Sequence, residues 1–203
     1  MVDVIIHFFL KFKMNNLLIA ENLKLIKKVL PILKIQIHQN DISIVIKKTH
    51  LLSTLFFLKN HIKYQFKILT CISGVDYPEN KYRFKLVYEL LSVKYNTRIR
   101  IKVFTHELMP IESVESIFKA ASWYESEIWD MFGIFFIKHP NLVRLLTDYG
   151  FEGYPLRKDF PLSGFVEASY DYTRKRIANE RVELSQEYRA FTFASPWETT
   201  ELN

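Results

Sequence analysis

Alternation of apolar and polar positions predicts β-strands through the first half of the chain. The segments that alternate, or that are rich in β-branched residues, are residues 32–38, 42–48, 66–75, 82–93 and 97–104. The turn-forming run Gln39-Asn40-Asp41 separates the first two and favours a hairpin. Turn signals at 76–80 and 95–96 divide the other three. About five strands are therefore expected before residue 105.

Apolar residues spaced three or four positions apart predict helices around these strands. The predicted helices are residues 16–30, 50–61, 111–121 and 123–132. Pro31 closes the first of them, which would carry lysines on its outer side. Strands and helices in this order predict an α+β fold, a mostly antiparallel sheet of about five strands with helices packed on it.

From Phe135 onward the pattern becomes irregular. Four of the five glycines and three of the seven prolines lie between residues 133 and 164, which predicts a segment built of loops. Such segments often form functional surfaces or become ordered against a partner. We therefore expect an N-terminal extension at 1–15, a single α+β domain at 16–165, and an extended C-terminal arm at 166–203 that wraps a partner.

The charge is unevenly distributed, and this bears on the kind of partner. The net charge is +6, and residues 1–80 hold eleven lysines, no arginine and five acids. A basic excess is compatible with nucleic-acid binding. The lysines are nevertheless dispersed singly or in pairs, and residues 81–203 are balanced in charge. A solvated face or a protein contact is the favoured interpretation, with a basic nucleic-acid-binding protein as an alternative.

Several kinds of site and segment find no support in the sequence. Cys71 is the only cysteine, so the sequence offers neither a disulfide nor an iron–sulfur cradle. The six histidines show no metal-binding spacing, and no phosphate-binding glycine motif is present. No apolar run approaches the ~18–20 residues that span a bilayer. The first arginine is Arg83, so an arginine-rich mitochondrial leader is not expected.

The stretch SWYESEIWDMFGI, residues 122–134, is the most unusual part of the chain. Ser122 and Glu125 have the spacing of a capping box, and Gly133 would end the helix. Glu127 and Asp130 would share one side of it. Two neighbouring carboxylates can form an acid–base site when a cleft shifts one pKa. Contact with basic groups on a neighbouring surface is the simpler interpretation, and a hydrolase using this pair is a distant alternative.

The tryptophans of this helix point to burial on more than one side. Trp123 and Trp129 fall outside its main apolar stripe. Tryptophans beside charged residues are common anchors of protein interfaces. The helix would therefore lie deep in the core or be covered by a partner.

Residues 123–162 strongly resemble the signature of a known family, the thirty-kilodalton subunit of respiratory complex I (NADH:ubiquinone oxidoreductase), which occurs in bacteria and is called subunit 9 when encoded in mitochondrial DNA. The matching positions are Glu125, Glu127, residues 130–134 (DMFGI), 139–142 (HPNL) and 152–162 (EGYPLRKDFPL). Residues 181–198 also resemble the family's end. Ser126 stands where the family usually has arginine, and Arg181 where proline often precedes Val-Glu-Leu.

The resemblance implies a structural subunit of the peripheral arm, packed against the forty-nine-kilodalton subunit in the quinone-reducing module. It implies a position on the matrix side of the mitochondrial inner membrane, or on the cytoplasmic side of a bacterial plasma membrane. It also implies no catalytic residues and no bound cofactor in this chain, because NADH, FMN, the iron–sulfur clusters and ubiquinone belong to other subunits. The equivalent subunit of a membrane-bound hydrogenase, or of another quinone oxidoreductase, is the alternative.

The resemblance implies that residues 122–134 form an assembly motif. The tryptophans and the two carboxylates of the motif would meet the partner, and two charged residues of the following loop would add charge-assisted contacts. The residues expected at the partner interface are Trp123, Glu127, Trp129, Asp130, His139, Arg157 and Asp159.

Overall fold

The computed structural model describes residues 25–38, 41–189 and 191. It divides the chain into two compact units, residues 1–160 and 161–203. The expected extension at 1–15 and most of the expected helix at 16–30 lie outside the described residues. Residues 25–29 of that helix are helical, and Ile26 on it is buried.

A five-stranded sheet forms the centre of the first unit. Its strands are β1 (Ile32–His38), β2 (Asp41–Ile46), β3 (Ile68–Asp76), β4 (Phe84–Ser92) and β5 (Thr97–Thr105). They lie in the order β1-β2-β5-β4-β3, with β2 and β5 parallel and the other three pairs antiparallel. The mostly antiparallel sheet expected from the sequence is confirmed, including the pairing of its first two strands.

One face of the sheet carries the hydrophobic core. Along β4 buried and half-buried residues alternate, so Phe84, Leu86, Tyr88 and Leu90 all point to the same face. Helix α1 (Leu51–Asn60), preceded by a 3₁₀ turn at Lys48–His50, and helix α2 (Ala121–Phe132) bury apolar residues in the same cluster. Burial of such side chains from water contributes ~1.5–3 kcal/mol each. The predicted α+β class is thus confirmed.

The helix predicted at residues 111–121 is wrong. The chain instead forms a short strand, β6 (Ile111–Glu112), which pairs in parallel with β7 (Phe136–Ile137), and then turns until α2 begins. Ile111, Val114, Phe118 and Ala121 are all buried, so their spacing imitates a helix. Turns that bring these residues to the core produce the same pattern without a continuous helix.

The second unit contains a hairpin where the sequence suggested only an extended arm. Strands β8 (Val166–Asp171) and β9 (Arg176–Arg181) pair antiparallel. The Asp171 carboxylate accepts hydrogen bonds from the backbone N–H groups of Thr173 and Arg174, a local bond that favours a turn. The expected boundaries at residues 15 and 165 stay predictions. Among the helices of the described residues, none is long and apolar enough to cross a membrane.

The packing of α2 on β3 generates a first prediction. A Cβ on Gly74 would lie 2.7 Å from the ring of Phe132. Gly74→Ala should therefore lower the free energy of unfolding of the full-length chain by ~1–3 kcal/mol, the usual cost of overpacking. Urea unfolding measures the loss, with Ser73→Ala on the exposed side of the same strand as the control. Equal stability of the two variants would contradict this packing.

Candidate functional site

Helix α2 is the centre of the candidate site, and its C-terminal end is as expected. Gly133 has a φ of 75° and its N–H donates to the Trp129 carbonyl at 2.9 Å, so the left-handed residue that ends the helix is confirmed. The expected capping box at Ser122 is wrong. The helix begins at Ala121, no side chain caps it, and the carboxylate of Glu125 is engaged elsewhere.

Glu125 is fully buried and ties α2 to the turn after β6. Its carboxylate accepts the Ser113 hydroxyl at 2.5 Å and the Val114 N–H at 2.7 Å. The Nε2 atom of His139 lies 3.9 Å from the same carboxylate. Burial raises the pKa of Glu125 to about 7, although the two hydrogen bonds act in the opposite direction.

His139, an expected interface residue, is also inside the fold. Its side chain has no exposed surface. Its Nδ1 accepts the N–H of Asn141 and its Nε2 lies 3.2 Å from the carbonyl of Ser122, so the ring is assigned its proton on Nε2. It connects the turn after β7 to the first turn of α2.

Asp130 is the second fully buried carboxylate of α2. It accepts the backbone N–H groups of Leu145, Leu146 and Thr147 at 2.9–3.2 Å, and the Thr147 hydroxyl at 2.6 Å. Arg144 approaches it at 3.4 Å. Burial alone would raise the pKa of Asp130, but the hydrogen bonds outweigh it and the pKa is lowered. Asp130 therefore anchors the loop at residues 144–147.

This position corrects the expected pairing of two surface carboxylates. Glu127 is exposed, whereas Asp130 is covered by the loop that it binds. The two acids do not converge on a common space, so they lack the arrangement that a paired acid–base site needs.

Arg157 completes the C-terminal end of α2. Its Nε donates to the carbonyl of Phe132 at 2.7 Å, and its guanidinium lies over the ring of Tyr154 at 4.5 Å. A cation at this end complements the helix dipole. A Cβ on Gly133 would lie 2.6 Å from the guanidinium and 2.7 Å from the Tyr154 ring. Gly133 is thus required both by its φ and by the close approach of these two side chains.

A charge network fixes the next residues of the chain to the end of the sheet. Arg83 donates to Asp76 at 2.7 Å, to Asp159 at 2.8 Å and to Glu107 at 2.9 Å. The hydrogen bond from Arg83 lowers the pKa of both aspartates. Asp159 keeps 65% of its side chain exposed, and Arg157 also reaches Glu107, at 3.1 Å.

The surface of α2 that remains open is small and aromatic. Trp123 is 71% exposed and Glu127 is exposed. Trp129 is half-buried, with the guanidinium of Arg144 5.8 Å from its ring. Of the expected interface residues, Trp123, Glu127 and Asp159 are accessible, and Asp130, His139 and Arg157 hold the chain to itself. Contact of any of them with a partner stays a prediction.

Sequence reasoning missed the residues that bind the charged side chains of the signature segment. Ser113, Arg83, Glu107 and Arg144 were not singled out, although each binds a signature residue. No local pattern marks them, because their partners are 12 to 76 residues away. A serine or an arginine in a turn is ordinary by sequence alone.

Within the described residues, nothing at this site suits a metal ion. No group of three or more His, Cys, Asp or Glu side chains comes together there or elsewhere in those residues. Most polar groups of the site bind loops, and its accessible part is one tryptophan and two carboxylates, Glu127 and Asp159. This arrangement suits contact with a protein.

Comparison with known proteins identifies the family. Residues 44–166 match the family described as the respiratory-chain NADH dehydrogenase 30 Kd subunit. The chain belongs to this family. The resemblance seen in residues 123–162 is therefore confirmed, and the subunit is a component of respiratory complex I.

Similar proteins include NADH-ubiquinone oxidoreductase subunit 9 of Reclinomonas americana, 52% identical over 165 residues that cover 81% of each chain. The subunit of the same name in Prototheca wickerhamii is 51% identical, covering 82% of this chain and 86% of that one. NADH dehydrogenase (ubiquinone) iron-sulfur protein 3 of Beta trigyna is 56% identical over 73% of this chain and 78% of its own.

A solved structure shares the fold at lower identity. A chain of the membrane-bound sulfane sulfur reductase, an archaeal respiratory membrane complex, superposes with a TM-score of 0.62 and 25% identity. The match covers 70% of this chain and 85% of that one.

Removal of the Asp130 carboxylate tests its role as an anchor. Asp130→Ala leaves three backbone N–H groups without their acceptor, so it should lower the free energy of unfolding by ~1–3 kcal/mol. Hydrogen exchange at residues 145–147 should accelerate in the full-length chain. Asp148→Ala, in the same loop but exposed, is the control. Unchanged exchange in Asp130→Ala would show that the loop is held by other contacts.

Glu125 generates a pH prediction. Its pKa is about 7 in the folded chain against 4.5 ordinarily, so its contribution to stability is complete below about pH 4.5 and is lost as the pH rises through 7. Glu125→Gln stays neutral, and its stability relative to the wild type should therefore increase between pH 5.5 and 8. Urea unfolding across this range measures the difference. Glu127→Gln, at an exposed position of the same helix, is the control. A constant difference between Glu125→Gln and the wild type would contradict the assignment.

Proposed function

We propose that this subunit of complex I is a structural component of the peripheral arm of a mitochondrial NADH:ubiquinone oxidoreductase, and that α2 and the loops fixed to it form its main contact with a partner. The proposal rests on one observation, that the side chains of residues 123–162 have two different roles. Two buried carboxylates and Arg157 hold the neighbouring loops to α2, and Trp123 is left exposed near the start of the same helix. A large exposed aromatic on a fixed support is typical of an interface anchor.

The partner that we propose is the forty-nine-kilodalton subunit of the quinone-reducing module, on the matrix side of the inner membrane. Support for a mitochondrial setting comes from the relatives named subunit 9 in Reclinomonas americana and Prototheca wickerhamii. A bacterial member of the family would occupy the cytoplasmic side of the plasma membrane.

We further infer that the subunit supports electron transfer without holding a redox centre. Iron–sulfur clusters are held by several cysteine thiolates, and the sequence contains only Cys71. Three relatives carry the name iron-sulfur protein 3, but the single cysteine of this chain does not provide the ligands of a cluster. In this proposal NADH, FMN, the clusters and ubiquinone are bound by other subunits, and no residue of this chain is catalytic.

The second candidate is the equivalent subunit of a complex with another electron donor. The shared fold with a membrane-bound sulfane sulfur reductase supports it. Identities of 51–56% to NADH-ubiquinone subunits, against 25% for that chain, favour NADH. A native gel of gently solubilised membranes separates the two, because only the first places this chain in a band that oxidises NADH.

Trp123 is the residue whose loss should weaken the contact most. Trp123→Ala should reduce the assembled complex on a native gel, with ~30-fold weaker association if the residue is a hot spot worth ~2 kcal/mol. The unfolding midpoint of the full-length chain should change little, because the side chain is exposed. Phe56→Ala, which removes an exposed aromatic from α1, is the matched control. Normal assembly with Trp123→Ala would remove α2 from the proposed interface.

A further inference from the structure

The outer face of the sheet, opposite the core, is rich in positive charge. Its side chains alternate with the core residues along the strands, except at the irregularities between Ile32 and Lys34 in β1 and between Leu69 and Cys71 in β3. The outer face carries five cations against two carboxylates, which are Lys34, Lys85, Arg98, Arg100 and Lys102 against Asp41 and Glu89. We call these seven residues and their uncharged neighbours the cationic face.

The positive charge is concentrated on the central strand. Arg98, Arg100 and Lys102 occupy successive outward positions of β5, at about 6.6 Å spacing. Opposite them on β4 stand Leu91, Glu89 and Val87. On the other side, the register of β2 places Asp41 beside Arg98, so Lys102 is the one of the three cations without an acid on a neighbouring strand. Arg100 forms the ion pair with Glu89. Among the described residues, the other four cations of the face form no ion pair.

Two of the three lysines of the face are satisfied by neutral groups. Lys102 donates to the side-chain oxygen of Gln36 at 2.8 Å, and Lys85 donates to the Tyr77 hydroxyl at 2.7 Å. Partial burial lowers the pKa of Lys102, and repulsion from Lys85 and then Arg100 adds to it, with Tyr77 and Glu89 acting in the opposite direction. An approaching anion would relieve this repulsion.

We propose that the cationic face docks an acidic protein surface, on another subunit of the complex. The inference rests on membership in the complex. It concerns the side of the sheet opposite α2, so its test is independent of the contact proposed for Trp123. Apolar residues lie between the cations, with Val45 buried, Val87 half-buried and Phe104 37% exposed. Apolar surface interspersed with charge suits a protein interface, where opposite potentials fix orientation.

Two other anionic partners fit the face less well. Asp41 and Glu89 would repel the phosphates of a nucleic acid, which is bound through its continuous row of charges. Lipid-binding basic clusters lie on amphipathic helices or beside membrane helices. The cationic face is instead a sheet surface, with its lysines and arginines spread over β1, β4 and β5 and two acids among them.

Zero-length carbodiimide coupling tests the proposal directly, because it joins an amine only to a carboxylate in contact with it. In the purified intact complex, Lys34, Lys85 or Lys102 should couple to an Asp or Glu of another subunit, identified by mass spectrometry. The same lysines should be protected from amine acylation relative to the free full-length chain. Lys63 and Lys67, exposed and outside the face, should be acylated equally in both.

Three results would overturn the proposal. Full acylation of the three lysines in the intact complex would show a face open to solvent. Protection that is lost on delipidation, without coupling to another subunit, would identify lipid as the occupant. Protection that is lost on nuclease treatment would identify nucleic acid.

Charge reversal supplies an independent measurement. Arg98→Glu with Lys102→Glu should lower the assembled complex on a native gel several-fold, because like charges would then face each other. Lys63→Glu with Lys67→Glu makes the same change in net charge elsewhere and should assemble normally. Arg98→Lys with Lys102→Arg keeps the charge and should also assemble. The unfolding midpoint of each full-length variant distinguishes lost docking from lost folding, and normal assembly of the first variant would overturn the proposal.

Discussion

A carboxylate that leaves water must find hydrogen-bond donors inside the protein, and α2 buries two of them. Glu125 takes its donors from the turn before the helix, and Asp130 takes its donors from the loop after it. Each acid therefore requires a particular piece of irregular chain to stay in place. In this way Asp130 holds the loop at residues 144–147 against the helix, and the ion pair of Asp159 with Arg83 holds the end of the same irregular segment against the sheet.

The same requirement explains why the two buried carboxylates of an acid-rich, aromatic-rich helix are poorly placed for acid–base chemistry. A general acid or base must reach a reacting group, and the lone pairs of Asp130 are occupied by five donors from the loop at residues 144–147. The raised pKa of Glu125 comes from burial and not from a cleft that a substrate could enter. Perturbed pKa values mark candidate active sites, but structural networks perturb them as well.

The sequence allowed the sheet, two helices and the helix stop at Gly133 to be predicted, because alternation, helical spacing and a left-handed glycine are local signals. It did not reveal where the charged side chains go. The Asp159 carboxylate meets Arg83 from 76 residues away, and no spacing rule reaches that far. Local spacing was also misleading where tertiary burial produced it, since residues 111–121 have helical spacing but form a strand and turns. The family signature identified the function although it did not distinguish anchors from surface groups.

The two proposed contacts lie on opposite sides of the sheet and depend on different physics. Near α2 the exposed group is Trp123, whose contribution would come from apolar area removed from water and is little affected by salt. On the cationic face the attraction is coulombic, and exposed charges are screened beyond ~8 Å at physiological ionic strength. Docking would remove water from the ion pairs of the cationic face and thereby strengthen them, because buried pairs are screened less by salt. A subunit arranged in this way can be oriented by charge on one side and held by apolar burial on the other.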